Sequence, residues 1–149
     1  MRALFAHKAL VLLMVSMGVS LAGADEMSTG KLPKAVIDRL RSRFPQMEIV
    51  AAEQSRNEER DRYVVEIKGT DGPFHVSMSA AGSISQIAYD GKYVPGYLAL
   101  PVEHRFPHAE FVYATESDDS SLQSGAAVYL RYEKHNIIAY LSFGGGTGG

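Results

Sequence analysis

The sequence has no cysteine and no tryptophan, and its aromatic content is 9%. Without cysteine there is no disulfide framework, no thiolate metal site, no cysteine nucleophile and no lipidated N-terminal cysteine. Charge of one sign is lacking too: 15 Lys/Arg stand against 17 Asp/Glu, so the chain as a whole does not carry the basic excess of a nucleic-acid binder. Long apolar runs are confined to the start. Ala9 to Leu21 is 13 residues with Ser16, Gly18 and Ser20 inside it, shorter than the roughly 20 residues that cross a bilayer.

That run follows the basic Arg2 and Lys8 and precedes Ala22-Gly23-Ala24 and the acidic Asp25-Glu26. A basic start, a short apolar region and an A-x-A end are the three parts of a secretory signal, with cleavage expected after Ala24. An uncleaved anchor is the competing reading of the same residues. Residues 1–24 are thus read as a signal peptide and the mature chain as periplasmic or secreted. Without those residues, 125 remain, with 13 Lys/Arg against 17 Asp/Glu, enough for one modest core.

The chain also resembles itself. Leu32, Val36, Leu40 and Phe44 align at an offset of 62 with Val94, Leu98, Val102 and Phe106, and Pro33 and Pro45 align with Pro95 and Pro107. Apolar residues four apart make one stripe of a helix. The first proline of each set is tolerated in a helix's first turn, and the second cannot continue a helix. Strand patterns follow in both halves. Met47, Ile49 and Ala51 match Ala109, Phe111 and Tyr113. Tyr63, Val65 and Ile67 match Val128, Leu130 and Tyr132 at an offset of 65, and Phe74, Val76 and Met78 match Ala139, Leu141 and Phe143. Alternation with period two predicts a sheet with one buried face. The polar stretch 115–125 accommodates the three extra residues of the second half.

Ser55 to Arg62 reads as a charged loop, Thr70-Asp71-Gly72-Pro73 as a hairpin turn, and Ser83 to Tyr89 as a fourth strand between Ala81-Gly82 and Asp90-Gly91. The expected fold is α+β: two tandem helix-plus-antiparallel-meander repeats forming one sheet, with the helices packed on one face. The units are a linker at 25–30, a first repeat at 31–92 and a second at 93–149. Pro101 stands where the first helix has Arg39, so the second helix should be kinked, or should begin near Leu100. The glycine-rich 144–149 replaces its last strand and is expected to fray.

The segments LPKAVIDRLRSRFPQMEIVAAE, YVVEIKGTDGPFHVSMSAAGSI, VPGYLALPVEHRFPHAEFVYATE and AVYLRY resemble the PepSY-like, beta-lactamase-inhibitor-like family of periplasmic proteins. The pattern is Leu-Pro, a short helix, Phe-Pro, then strands and a Gly-bearing turn, and it covers most of residues 31–143. Pro101, the missing last strand and the lack of Asp before Gly82 depart from it. The resemblance implies tandem helix-plus-sheet units in an exported, non-catalytic protein, with a protein-binding or inhibitory role.

No residue set fills an active-site checklist. His104 and His108 are four apart, but Pro107 separates them, and they read as solvated surface residues rather than a metal pair. Glu116, Asp118 and Asp119 lack the calcium-loop spacing, and Ser120-Ser121 lacks a nucleophile elbow. Glu66 and Asp71 are not placed at a working distance by anything in the sequence. No cofactor or metal is expected, and the protein is read as not an enzyme.

The alternation does place Val64, Glu66, His75, Ile87, Tyr89, Tyr129, Arg131 and Tyr140 on the face away from the helices. Tyrosine and arginine are over-represented in binding hot spots. Glu66, His75, Tyr89, Tyr129, Arg131 and Tyr140 are therefore the candidate partner-binding residues, toward a protein or peptide of the cell envelope. Cross-strand pairs that only stabilise a wet sheet face are the competing account. A small envelope enzyme, a metal-dependent protein and a periplasmic small-ligand sensor are the alternative functions.

Overall fold

The computed structural model describes residues 24–57, 60–117 and 125–143. Within them the chain forms one eight-stranded antiparallel sheet whose strands lie side by side in sequence order, with two helices. The order is β1 (Ala24–Met27), α1 (Lys34–Arg43), β2 (Glu48–Asn57), β3 (Arg60–Lys68), β4 (Pro73–Ser79), β5 (Ile84–Asp90), α2 (Gly96–Arg105), β6 (Glu110–Glu116), β7 (Gly125–Tyr132) and β8 (His135–Ser142). Single 3-10 turns, Thr29–Lys31 and Gly91–Tyr93, precede the two helices. Residues 1–23, which hold all but the last residue of the expected signal peptide, and residues 58–59, 118–124 and 144–149 lie outside the described residues.

Both helices start and stop by the same chemistry. Pro33 and Pro95 occupy the cap, one residue before the first helical position, at φ −55, ψ 143 and φ −58, ψ 145. Their carbonyls accept from Val36 and Ile37, and from Leu98 and Ala99, which satisfies amide groups that a helix start leaves open. Phe44 and Phe106 close the helices at φ −132 and φ −128, donating to Leu40 O and Val102 O at 2.8 Å. The following prolines forbid a further turn. The second helix does not wait for Leu100: it begins at Gly96 and carries Pro101 inside it. Burial of Leu98 and the Pro95 cap hold the first turn in place ahead of the proline.

Val36, Leu40, Leu98 and Val102 pack with Tyr63, Val65, Ile67, Val76, Val128 and Leu130 in one core cluster, so both helices lie on one face of the sheet. Buried aliphatic side chains contribute about 1.5–3 kcal/mol each relative to exposure. Phe44 packs edge-on against Phe74 at 5.1 Å, and Phe106 against Tyr132 at 5.5 Å. The halves join where Ile87–Asp90 of β5 pair with Tyr113–Glu116 of β6.

Six expectations need correction. Residues 25–30, expected as a linker, hold most of β1, which pairs with Ala52–Ser55, and the first 3-10 turn. The stretch expected as a loop from Ser55 to Arg62 is largely paired strand, with Asn57 opposite Arg60. Three bulges account for the rest, because one extra residue reverses which face the following side chains take. Val50 is the extra residue in β2, so Ala51 sits opposite Glu66 on the open face and Ala52 enters the core. Val112 does the same in β6, turning Tyr113 outward. Ser85 is the extra residue in β5, where its Oγ donates to Ser77 O at 3.1 Å. Ile87 and Tyr89 therefore face the helices, opposite Val76 and Phe74, and not the open side.

Candidate functional site

The face of the sheet away from the helices carries five of the six candidate residues. Glu66 and His75 are direct cross-strand neighbours on β3 and β4. His75 Nε2 lies 3.9 Å from Glu66 Oε2, with both side chains about four-fifths buried, so they form an ion pair when His75 is protonated. Tyr129 and Arg131 on β7 and Tyr140 on β8 lie three and four strands on from β4, beyond β5 and β6. The six residues accordingly do not form one site. Tyr89 belongs to the opposite face, where its ring packs 5.6 Å from Phe74.

Aromatic side chains dominate the β6–β8 end. Tyr113 and Tyr129 are register partners and stack with centroids 3.9 Å apart and planes 19° from parallel. Burial and the neighbouring Tyr129 hydroxyl push the Tyr113 hydroxyl to ionise well above the ordinary tyrosine range. Beside this stack are Ile138, opposite Tyr129, and Tyr140, opposite Ala127. They are 45% and 77% exposed. Arg131 Nη1 donates to Glu110 Oε2 at 3.3 Å across the strands, and both groups are largely in water. Such a pair is worth about 1 kcal/mol at most. Tyr113 and Ile138 were not among the expected residues. Ile138 follows from the alternation that gave Tyr140, whereas Tyr113 could be found only by recognising the bulge at Val112.

Toward the middle, the same face is dry. Val64, Ser77, Ala88 and Thr115 are buried and belong to the outward phase. Val64 was expected to be wet. It and the small residues near it are bordered on the register by the longer Glu53, Glu66, His75 and Gln86. The pattern is a recessed small-residue centre with an aromatic rim on one side and the Glu66–His75 pair on the other.

Tyr89 and Glu116 form a polar contact beneath the start of α2. Glu116 Oε2 accepts from Tyr97 Oη at 2.5 Å and from Tyr89 Oη at 3.2 Å. Burial, reinforced by the Glu116 carboxylate, pushes the Tyr97 hydroxyl up to about 12 and raises that of Tyr89 further. Glu116, expected as part of an acidic loop, is thus the anchor of α2 to the sheet, while Asp118, Asp119, Ser120 and Ser121 lie outside the described residues.

A cleft of about 530 Å³ opens where β6 ends, between Ser85 and Gln86 on one side and Gly125–Ala127 and Tyr140–Ser142 on the other. A smaller one, about 200 Å³, lies between α1 and the sheet, lined by Leu40, Arg41, Phe44, Met47, Ile49 and Ile67. That volume is below the roughly 300 Å³ at which small-molecule pockets begin. Among the described residues no three His, Asp or Glu gather as a metal site. His104 and His108 are both exposed, and His108 has left the helix at φ 67.

No family model matches this sequence. No curated protein matches it. Similar solved structures include a protein from Bacteroides vulgatus, provisionally described as periplasmic and of the DUF2874 family, at 16% identity and a TM-score of 0.42, covering 80% of this chain and 97% of that one. Another is a protein from Bacteroides thetaiotaomicron, provisionally described as calcium-regulated and periplasmic, at 15% identity and a TM-score of 0.43, covering 78% and 95%. A third, from Bacteroides vulgatus and of unknown function, has 14% identity and a TM-score of 0.42, covering 78% and 91%. At such identities and TM-scores these likenesses assign neither ligand nor activity to this chain.

Proposed function

We propose that the protein is an exported, non-catalytic binding module that offers the β6–β8 end of its open sheet face to a protein or peptide of the cell envelope, as an inhibitor or modulator of that partner. The observation that carries the reading is the stacked Tyr113–Tyr129 pair flanked by the exposed Ile138 and Tyr140. Rigid aromatic side chains give contact area at low entropic cost, and a sheet holds them in fixed register. Export rests on the three-part N-terminal pattern.

We also infer that the chain is a duplicated helix-plus-meander unit of the PepSY-like kind. Support comes from the matching cap angles of α1 and α2 and from the bulges at Val50 and Val112, which stand at the same offset of 62 as the helices.

The test is a pull-down from envelope extract with wild type and a Tyr129→Ala, Arg131→Ala, Tyr140→Ala variant. Loss of a specific partner from the variant supports the reading. Identical partner sets for the two proteins would remove this face from consideration.

A further inference from the structure

The two helical segments differ in charge from the rest of the chain. Residues 29–44 and 91–106 hold seven Lys or Arg and only two acids, Asp38 and Glu103, in a chain whose totals are 15 and 17. All seven cations are exposed. Each helix turns its apolar stripe inward and leaves these cations exposed around the helix layer.

The outer side of α2 adds apolar groups to this charge. Leu100 is 66% exposed and Tyr97 53%, and Tyr93 and Pro101 are exposed beside them. No described helix is long and apolar enough to cross a membrane.

We propose that the helix layer is a docking surface for an anionic phospholipid bilayer, on which the protein lies with Leu100 at headgroup depth and its sheet face turned outward. Charge complementarity selects this occupant: cations concentrated on α1, with Lys92 before α2 and Arg105 at its end, match an anionic plane, and the exposed Leu100 and Tyr93 suit the headgroup boundary. An acidic protein would be matched by the same cations; the exposed apolar Leu100 and Pro101 of α2 favour a headgroup boundary over a purely acidic surface. The inference uses the face opposite the one assigned to the partner and stands or falls apart from it.

The experiment is co-sedimentation of the full chain with phosphatidylglycerol/phosphatidylcholine vesicles and with phosphatidylcholine alone, at low and high salt. Each basic residue near such a surface changes affinity about fivefold. Arg41→Glu with Arg105→Glu should therefore weaken binding to anionic vesicles at least tenfold, while Arg62→Glu with Lys68→Glu, the same charge change on the sheet face, should stay within about twofold. Because the chain has no tryptophan, Leu100→Trp supplies a probe whose emission should shift to the blue on binding. Comparing variants that share residues 1–24 separates the helix layer from the leader. Equal binding to neutral vesicles, equal losses in both charge variants, unchanged binding of the double variant or an unshifted Leu100→Trp emission each overturns the proposal. So does capture by immobilised polyglutamate without vesicle binding, which would assign the layer to an acidic protein.

Discussion

Gly91 and Gly96 are five residues apart and do opposite things. A Cβ on Gly91 would meet the carbonyl oxygen of Phe111 at 2.0 Å, whereas one on Gly96 meets nothing within 4 Å. Gly91→Ala must push the turn before α2 away from β6, and a loss above about 2 kcal/mol is expected by urea denaturation. Gly96→Ala should stabilise by about 0.5–1 kcal/mol, because alanine has less freedom to lose in a helix. Tyr97 gives a pH signature at the same scale. Its hydroxyl ionises near 12 in the fold, above the ordinary value of 10.0, mainly through burial and then through Glu116. A raised folded value means that the contribution is complete below pH 10 and is lost as pH climbs from 10 through 12. Ultraviolet titration should show this late ionisation, and Glu116→Gln should bring it earlier by removing the carboxylate's share.

At the scale of elements, α2 contains its own weak point. Pro101 has no N–H to give to the carbonyl of Tyr97, and a proline inside a helix costs about 3 kcal/mol. Pro101→Ala should raise the melting temperature, with a gain of about 1–3 kcal/mol on restoring the bond. No gain would mean that the surrounding structure has already absorbed the proline's geometry. The β6–β7 pair is held by more than backbone hydrogen bonds. Tyr129→Leu removes an aromatic pair worth about 1 kcal/mol beyond its area, a fall in melting temperature of about 4 °C by calorimetry. The turn joining β7 to β8 places Glu133 and Lys134 at φ 47 and φ 68. Both are the positive angles of a tight hairpin turn, adopted here without glycine or asparagine.

For the whole molecule, the core cluster includes Val36 and Leu40 of one helix and Leu98 and Val102 of the other, together with strands from β2 to β7. Two helices sharing one core with the sheet should unfold together with it. Leu40→Ala and Leu98→Ala should each cost about 2–5 kcal/mol, and circular dichroism and tyrosine fluorescence should trace the same transition in both variants. Separate transitions would show that the halves are independent. The charge distribution also belongs to this scale, since the basic helix layer arises only when two segments about 60 residues apart are laid on the same face.

What the sequence determined alone were the helices and the phase of most strands. Proline on either side of a four-residue apolar stripe leaves the backbone few choices, and uninterrupted alternation gave the correct inward set for β3, β4, β7 and β8. It failed at Ala51, Ile87, Tyr89 and Tyr113 for one reason: a bulge changes the face of every residue after it, and Val50, Ser85 and Val112 carry no local mark that they are the extra residue. It missed β1 because a short strand without alternation is made by its partner, here β2. The separation of Glu66–His75 from the tyrosine cluster, and the removal of Tyr89 to the core, were decided only by the tertiary register, because proximity across a sheet depends on how many strands intervene and not on residue type.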